Sequence, residues 1–365
     1  MKLLYITNAI NGSGGLERVL AVKASYLADK LGYKVHILTL NKGAQQPFYE
    51  FSNNITFHDI KVQGNVINYF LSYKKGIKKV LKSINPAIIS VCDDGLKGLL
   101  FPVFFGTKIP IIYERHVSKQ IEIKINNVSV VHKIKSKLKL SFMDYGAGKF
   151  HKFVVLTNGN LTEWNLKNLK IIPNPLPFQP NVSSKLTNKK VLVVGKQSYQ
   201  KGYDSLLEIW KLVHQKYPDW QLEVYGKLNP ALGLEEKAKD FSIDESVKFY
   251  PPVKYIQAKY KEASIYVMTS RFEGFGMVLI EAMSYGVPCI AFDCPHGPAD
   301  IITNGEDGFL VPNGDIDSFA NAIIHLIENE EIRLQMGAMA KENVKRFTPD
   351  VVVLLWDLLF KNVVK

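Results

Sequence analysis

The sequence predicts an α/β protein of two successive doubly wound, parallel-sheet halves with a cleft between them. Three observations carry that reading. Short apolar runs alternate with helical periodicity in two series, a proline-rich stretch separates the series, and 365 residues exceed one core of ordinary size.

The first series opens with KLLYITNA (2–9), broken by NGSGG (11–15). LERVLAVKASYLADKLG (16–32) has helical spacing and ends in glycine, and KVHILTL (34–40) is the next strand. Further strands are expected at PAIISVC (86–92), IPIIYE (109–114), FVVLT (153–157) and LKIIPN (169–174). NPLPFQPNVSSKLTNKK (174–190) fits neither period and reads as the linker. The second series runs KVLVVGK (190–196), WQLEVYGK (220–227), VKFYPP (247–252), SIYVMTS (264–270), VPCIAFD (287–293) and DGFLVP (307–312). In such sheets ligands sit beyond the carboxyl ends of the strands, so the informative residues belong in strand-end loops.

Composition narrows the setting. Cys92, Cys289 and Cys294 form no CxxC pair and are too few for a disulfide framework, which fits a reducing, cytoplasmic compartment. No segment reaches the roughly 20 apolar residues that cross a bilayer. GLLFPVFFG (98–106) and VVVLLWDLLF (351–360) are short and interrupted, and MKLLYITNAI reads as a first strand and not a signal peptide. The net charge of +12 is uneven: residues 1–180 hold 25 Lys and Arg against 10 Asp and Glu, and the remainder 21 against 24. One half therefore faces something anionic, unless the excess serves solubility alone. The motifs of common RNA-binding modules are absent, so nucleic acid is not expected.

Three loops hold candidate chemistry. NGSGGLER (11–18) joins the first strand to the first helix, where free N–H groups suit an anion, although a plain tight turn would look the same. It is not a dinucleotide fingerprint, because Glu17 stands where the third glycine belongs and TLNK (39–42) supplies no acid for a ribose. GKQSYQKG (195–202) places Lys196 and Lys201 between glycines, suited to a diphosphate or merely solvated, and it lacks the Walker order. SRFEGFGMVLIEAMSYGVP (270–288) reads as strand end, turn and helix. There Glu273 sits in the turn, the Gly276, Met277 and Val278 amides open the helix, and Glu281 projects toward the cleft. Two carboxylates flanking free amides suit sugar hydroxyls and a phosphate. A helix-dipole acid plus one exposed acid explains the pair equally well.

The order Gly-Gly-x-Glu-Arg, Gly-Lys…Lys-Gly, EGFGMVLIEAMSYGVPCIAFD and NGEDGFLVPNGD resembles the retaining glycosyltransferases of family 4, which have the GT-B fold. DIDSFANAIIHLIENEEIRLQMGAMAKENVKRFTPD resembles that family's C-terminal region, and CPHGP a subset that builds bacterial surface polysaccharides. The resemblance implies an acceptor-binding domain over 1–178, a nucleotide-sugar domain over 179–346, and a helix over 347–365 crossing back to the first. It implies that Glu273 binds the transferred sugar's hydroxyls, Glu281 the ribose, and Lys201 the diphosphate with help from Lys196 and the Gly276–Val278 amides. Gly14 and Gly15 would cap the phosphate. His116, in IIYERHVS, would stand near the sugar, unless it is a structural histidine. Two departures stand out: Lys196 replaces the usual Arg, and Asp300 the usual Glu.

The expected reaction moves a hexose or N-acetylhexosamine from a UDP-sugar with retention, to a saccharide or lipid-linked saccharide, with no cofactor and no metal. The one Asp-x-Asp, Asp315 to Asp317, is better read as a helix N-cap. Asp94 and Glu114 are acceptor-side candidates, although ordinary strand-end polarity also accounts for Asp93 and Asp94. VVHKIKSKLKLSFMDY (130–145) and INYFLSYKKGIKKVLKSI (67–84) are basic and amphipathic. Their apolar residues face either the core or an anionic membrane at the inner face of the cytoplasmic membrane. A sugar-nucleotide epimerase of the same fold and a non-catalytic nucleotide-sugar sensor are the competing classes.

Overall fold

The structure is a computed structural model that describes residues 1–43, 45–119 and 130–364, the side chains of 130–133 and 135 excepted. The chain divides into two compact units, Met1–Pro177 with Pro349–Lys365, and Phe178–Thr348.

In the first unit β1 (Lys2–Ile6), β2 (Lys34–Leu40), β3 (Thr56–Ile60), β4 (Ile88–Val91), β5 (Ile111–Glu114), β6 (Lys152–Val155) and β7 (Leu169–Ile171) form one sheet. Its order is β3-β2-β1-β4-β5-β6-β7, all pairs parallel, with Leu3 opposite Val35 on one side and Ile88 on the other. The connections carry α1 (Gly15–Asp29), α2 (Val66–Ile84), α3 (Leu96–Leu99), α4 (Phe101–Phe104) and α5 (Val130–Ala147). Parallel strands need such crossovers, and both faces of the sheet are then covered.

Strand alternation sorts the core into two layers. Leu3 and Tyr5 face a cluster with Leu20, Ala24 and Leu27 of α1. Leu4 and Ile6 face Tyr73 and Ile77 of α2 together with Phe101, Met143 and Ala147. The C-terminal helix α13 (Pro349–Val364) completes the first layer through Val352, Val353, Trp356 and Phe360.

The second unit repeats the plan. β8 (Lys190–Val194), β9 (Gln221–Tyr225), β10 (Val247–Tyr250), β11 (Ile265–Met268), β12 (Cys289–Asp293) and β13 (Gly308–Pro312) are parallel in the order β10-β9-β8-β11-β12-β13. Around them lie α6 (Tyr203–Lys216), α7 (Leu234–Asp240), α8 (Gln257–Glu262), α9 (Met277–Ser284), α10 (Pro298–Ile301), α11 (Ile316–Glu328) and α12 (Glu330–Asn343). Trp210, Leu206 and Val213 of α6 pack with Phe319 and Ile323 of α11 over Val191, Val193 and Leu222. Asp315 caps α11, accepting from the Ser318 amide at 3.0 Å.

Each sheet reverses strand order once, between β1 and β4 and between β8 and β11. These switch points are where loops leave in opposite directions and a ligand finds room.

Two features differ from the sequence expectation. β3 has no counterpart there, because TFHDI is half polar; it forms as an edge strand whose His58 Nε2 lies 3.0 Å from His36 Nδ1 on β2. The core-facing reading of the two basic helices also fails in part. On α5, Ile134, Leu138, Phe142 and Tyr145 are each more than half exposed, although their spacing puts them on one face. Val130, Lys133 and Lys135, which share that amphipathic stretch, lie outside the described side chains. On α2, Tyr73, Ile77 and Ile84 are buried while Val66, Ile67 and Leu71 are exposed. Among the described residues no helix is long and apolar enough to cross a membrane.

Candidate functional site

At the switch point of the second unit, two loops are tied together. The turn after β8 ends in Gly202 at φ +63°, where a Cβ would lie 2.1 Å from the Thr269 carbonyl oxygen, so glycine permits the approach. Thr269 Oγ1 donates to the Lys201 carbonyl at 3.1 Å, the Arg271 amide donates to the Gln200 carbonyl at 2.8 Å, and Gln200 Nε2 donates to the Phe272 carbonyl at 3.0 Å. The result brings Lys201 Nζ to 2.6 Å from Glu273 Oε1, across 72 residues of sequence. Both side chains are largely shielded, at 16% and 8% exposure. Arg271 is committed elsewhere, to Asp204 at 2.6 Å and the Tyr199 carbonyl at 2.7 Å. Lys196 lies exposed on the same turn.

Gly276, at φ +100°, turns the chain into α9, whose first amides, those of Met277 and Val278, are left over by the helix geometry. Nearby, burial pushes the Cys294 thiol up to about 12, with the Glu273 carboxylate adding to it. Asp300 occupies the first turn of α10.

Glu281 corrects the sequence picture. It does not project into open space but is 1% exposed, and the Tyr260 hydroxyl of α8 donates to its Oε2 at 2.9 Å. The reason is packing. From Leu279 of α9 through Phe292 of β12 the chain is buried throughout, so no face of α9 past its first residues meets solvent.

The first unit gathers a second polar group at its own switch point. Gly14 caps α1 and Gly15 begins it, both exposed. The Glu17 carboxylate folds back over this turn, where it would meet a Cβ at Gly12 or Gly14. At the end of β4, Asp93 accepts from Asn8 Nδ2 at 2.8 Å, and Lys97 Nζ reaches Asn8 Oδ1 at 2.6 Å. Asp94 Oδ1 accepts from the His116 amide at 3.2 Å and lies 3.6 Å from Arg115 Nη1. Burial raises the Asp94 carboxyl above its ordinary value, and the Arg115 guanidinium offsets only part of that.

Glu114, the last residue of β5, is 1% exposed. Its Oε1 accepts from Ser90 Oγ at 2.5 Å, its Oε2 pairs with Lys23 of α1, and His116 Nε2 stands 3.3 Å from Oε2. Burial alone would push this carboxyl up, but the Lys23 ammonium and the His116 imidazole carry it down to about 2. Cys92 Sγ, a Glu114 oxygen and a His116 nitrogen come within 4.8 Å of one another, as metal ligands would. The donor set does not suit a cation. Lys23 already supplies a positive charge to Glu114, and burial, then Glu114, push the Cys92 thiol well above its ordinary value, so it keeps its proton.

The residues expected from sequence thus fall into two groups, Lys201, Glu273 and the Gly276–Val278 turn in one unit, and Gly14, Gly15, Asp94, Glu114 and His116 in the other. Lys23, Asn8, Lys97 and Arg115 escape sequence reasoning. Lys23 carries a signal all the same, because a lysine at the apolar spacing of Val19, Leu20 and Leu27 is out of place on a core-facing helix stripe.

Two family descriptions match this chain, "Glycosyl transferases group 1" over residues 178–343 and "Glycosyl transferase 4-like" over 15–102. The amylovoran biosynthesis glycosyltransferase AmsD of Erwinia amylovora is 32% identical over 98% of both chains. The chain belongs to the group 1, family 4-like glycosyltransferases. The lipopolysaccharide 1,6-galactosyltransferase of Salmonella typhimurium is 25% identical over 90% of each chain. Among solved structures, Anabaena Alr3699/HepE in complex with UDP superposes with a TM-score of 0.77 at 18% identity, covering 99% of this chain and 100% of that one. The fold of this glycosyltransferase is therefore GT-B, and the protein is an enzyme.

Proposed function

We propose that this glycosyltransferase transfers a hexose or N-acetylhexosamine from a UDP-sugar, with retention at the anomeric carbon, to a saccharide or lipid-linked saccharide in bacterial surface-polysaccharide synthesis. The Lys201–Glu273 pair at the second unit's switch point carries the proposal, since it joins a cation for a diphosphate to an acceptor for sugar hydroxyls. AmsD and the Salmonella galactosyltransferase, both named for polysaccharide or lipopolysaccharide work, support the setting, and the UDP complex of HepE supports the nucleotide.

In this reading the second unit, Phe178–Thr348, holds the donor. Lys201, with Lys196 and the Gly276, Met277 and Val278 amides, stabilises charge on the departing diphosphate. The bond from the anomeric carbon to the phosphate oxygen breaks as the bond to the acceptor oxygen forms on the same face. The acceptor's proton passes to the departing phosphate oxygen, so no paired carboxylates are needed. Glu273 positions the sugar and His116 contacts it. Glu281 holds the ribose with the carboxylate that also accepts from the Tyr260 hydroxyl. The first unit, with Asp94 and Glu114, serves the acceptor. No metal takes part.

A cytoplasmic enzyme on a lipid-linked acceptor works at the inner face of the membrane. The exposed stripe Ile134, Leu138 and Phe142 supports peripheral contact there. So do two basic grooves beside α2, of about 490 and 500 Å³, lined in part by Lys61, Lys75 and Lys79 and by Lys74, Lys78 and Lys108.

A thermal-shift screen over UDP-, GDP- and ADP-sugars, followed by product analysis with and without acceptor, tests the reading. UDP-sugars should raise Tm, and Glu273→Ala should abolish transfer while leaving UDP affinity within about 3-fold. Sugar inversion without acceptor, or activity lost to chelator and restored by manganese, would overturn it.

A further inference from the structure

We infer that the buried Lys23–Glu114 pair is a positioning device for His116, fixing its imidazole as the Nε2-protonated tautomer and leaving Nδ1 as an acceptor for a ligand hydroxyl. The inference rests on the proposed place of His116 beside the transferred sugar.

Proton bookkeeping on named atoms carries it. Glu114 is held ionised, so both oxygens only accept. Oε1 is occupied by Ser90 and Oε2 by Lys23, and it is Oε2 that faces His116 Nε2. Across that 3.3 Å the imidazole must donate, because two acceptors would repel. In a neutral ring the proton on Nε2 leaves Nδ1 with its lone pair. Nδ1 is buried and has no hydrogen-bond partner, which is the state of an acceptor awaiting a hydroxyl.

The groups around the pair bear on the same point. Tyr5 of β1, Ser90 of β4, Cys92 just beyond it and Trp356 of α13 surround Lys23 and Glu114, while Asp94 and Arg115 adjoin His116. Lys23 Nζ lies 4.0 Å from the Trp356 ring centroid and 5.1 Å from that of Tyr5, both rings attracting the ammonium. The C-terminal helix thus supplies a dry wall behind the pair.

The test is ¹⁵N NMR of the full chain labelled at histidine, with His116 assigned from its loss in His116→Gln. The neutral ring should show Nε2–H in the unmodified protein; an Nδ1–H signal would overturn the inference whatever the enzyme's substrates prove to be. Lys23→Met with Glu114→Gln removes both charges together and retains the side-chain shapes. That double variant should lose the tautomer preference and lower kcat at least about 10-fold, with donor KM within about 3-fold. Retention of the Nε2–H tautomer and of full kcat in a folded double variant would show the pair to be structural only. Absence of transfer from any UDP-sugar by the unmodified protein would fail the proposed function, while the NMR measurement would still decide the tautomer.

Discussion

The Lys23–Glu114 pair also makes a quantitative claim about stability. Glu114 is held below its ordinary value although burial alone would raise it, because the Lys23 ammonium and the His116 imidazole outweigh the burial, so ionising it favours the folded state as pH rises. Its folded value is the lower one, so that contribution is fully present above about 4.5 and is lost as pH falls toward 2. Replacing Lys23 by Met leaves a buried carboxylate without its ammonium, and Glu114→Gln leaves a buried ammonium without its carboxylate. Each should destabilise the first unit by roughly 3–5 kcal/mol, whereas the double variant should stay within about 1 kcal/mol of the unmodified protein. Hydrogen exchange of peptides covering β4 and β5 at neutral pH reads the first unit directly. The cycle should show strong non-additivity, and the double variant should also lose less stability between about pH 5 and 3. Single variants costing under about 1 kcal/mol, or effects that simply add, would refute the burial argument.

Three other outcomes are expected. Gly202→Ala should cost roughly 2 kcal/mol or more and impair transfer, because its Cβ would strike the Thr269 carbonyl, while Gly305→Ala, at φ +80° with open space around it, should cost about 1 kcal/mol; urea unfolding of both compares them. Leu138→Glu with Phe142→Glu should abolish flotation with anionic liposomes and leave Tm unchanged, since both side chains are exposed; unchanged flotation would remove the membrane reading. Burial lowers both His36 and His58, so their neutral forms favour the fold and stability falls as pH drops below about 6.5. His58→Gln should make the decline in Tm between about pH 7 and 5 shallower.

What could be read from sequence follows from how local each signal is. β8 and β11 were legible because four or more apolar residues run between turn signals, and Gly202, Gly276 and Gly286 punctuate them without needing any distant partner. Lys201 and Glu273 could be named as candidates on loops. Their 2.6 Å contact could not, since it depends on Thr269, Arg271 and Gln200 tying together segments distant in sequence. β3 escaped because an edge strand tolerates a polar face, and TFHDI shows little apolar alternation. The α5 stripe was visible as a pattern, but a pattern does not say whether the core or another surface covers it.

Glu281 and Lys23 show the limit most directly, and both err in the same direction, since each charge reads as solvated and is buried. Glu281 lies in an apolar helix, and a carboxylate there invites the assumption that it must point outward; the Tyr260 hydroxyl, contributed 21 residues earlier in the chain, lets it remain inside. Lys23 sits on the buried stripe of α1 and looks like a solvated lysine until Glu114, 91 residues on, supplies its counter-charge and Trp356 of α13 covers it. In both cases the sequence holds the charge and the fold holds the partner. A charged residue at a core-facing position is therefore a reason to search for a partner in space before assigning it to solvent, and in this enzyme that search leads to the histidine expected beside the sugar.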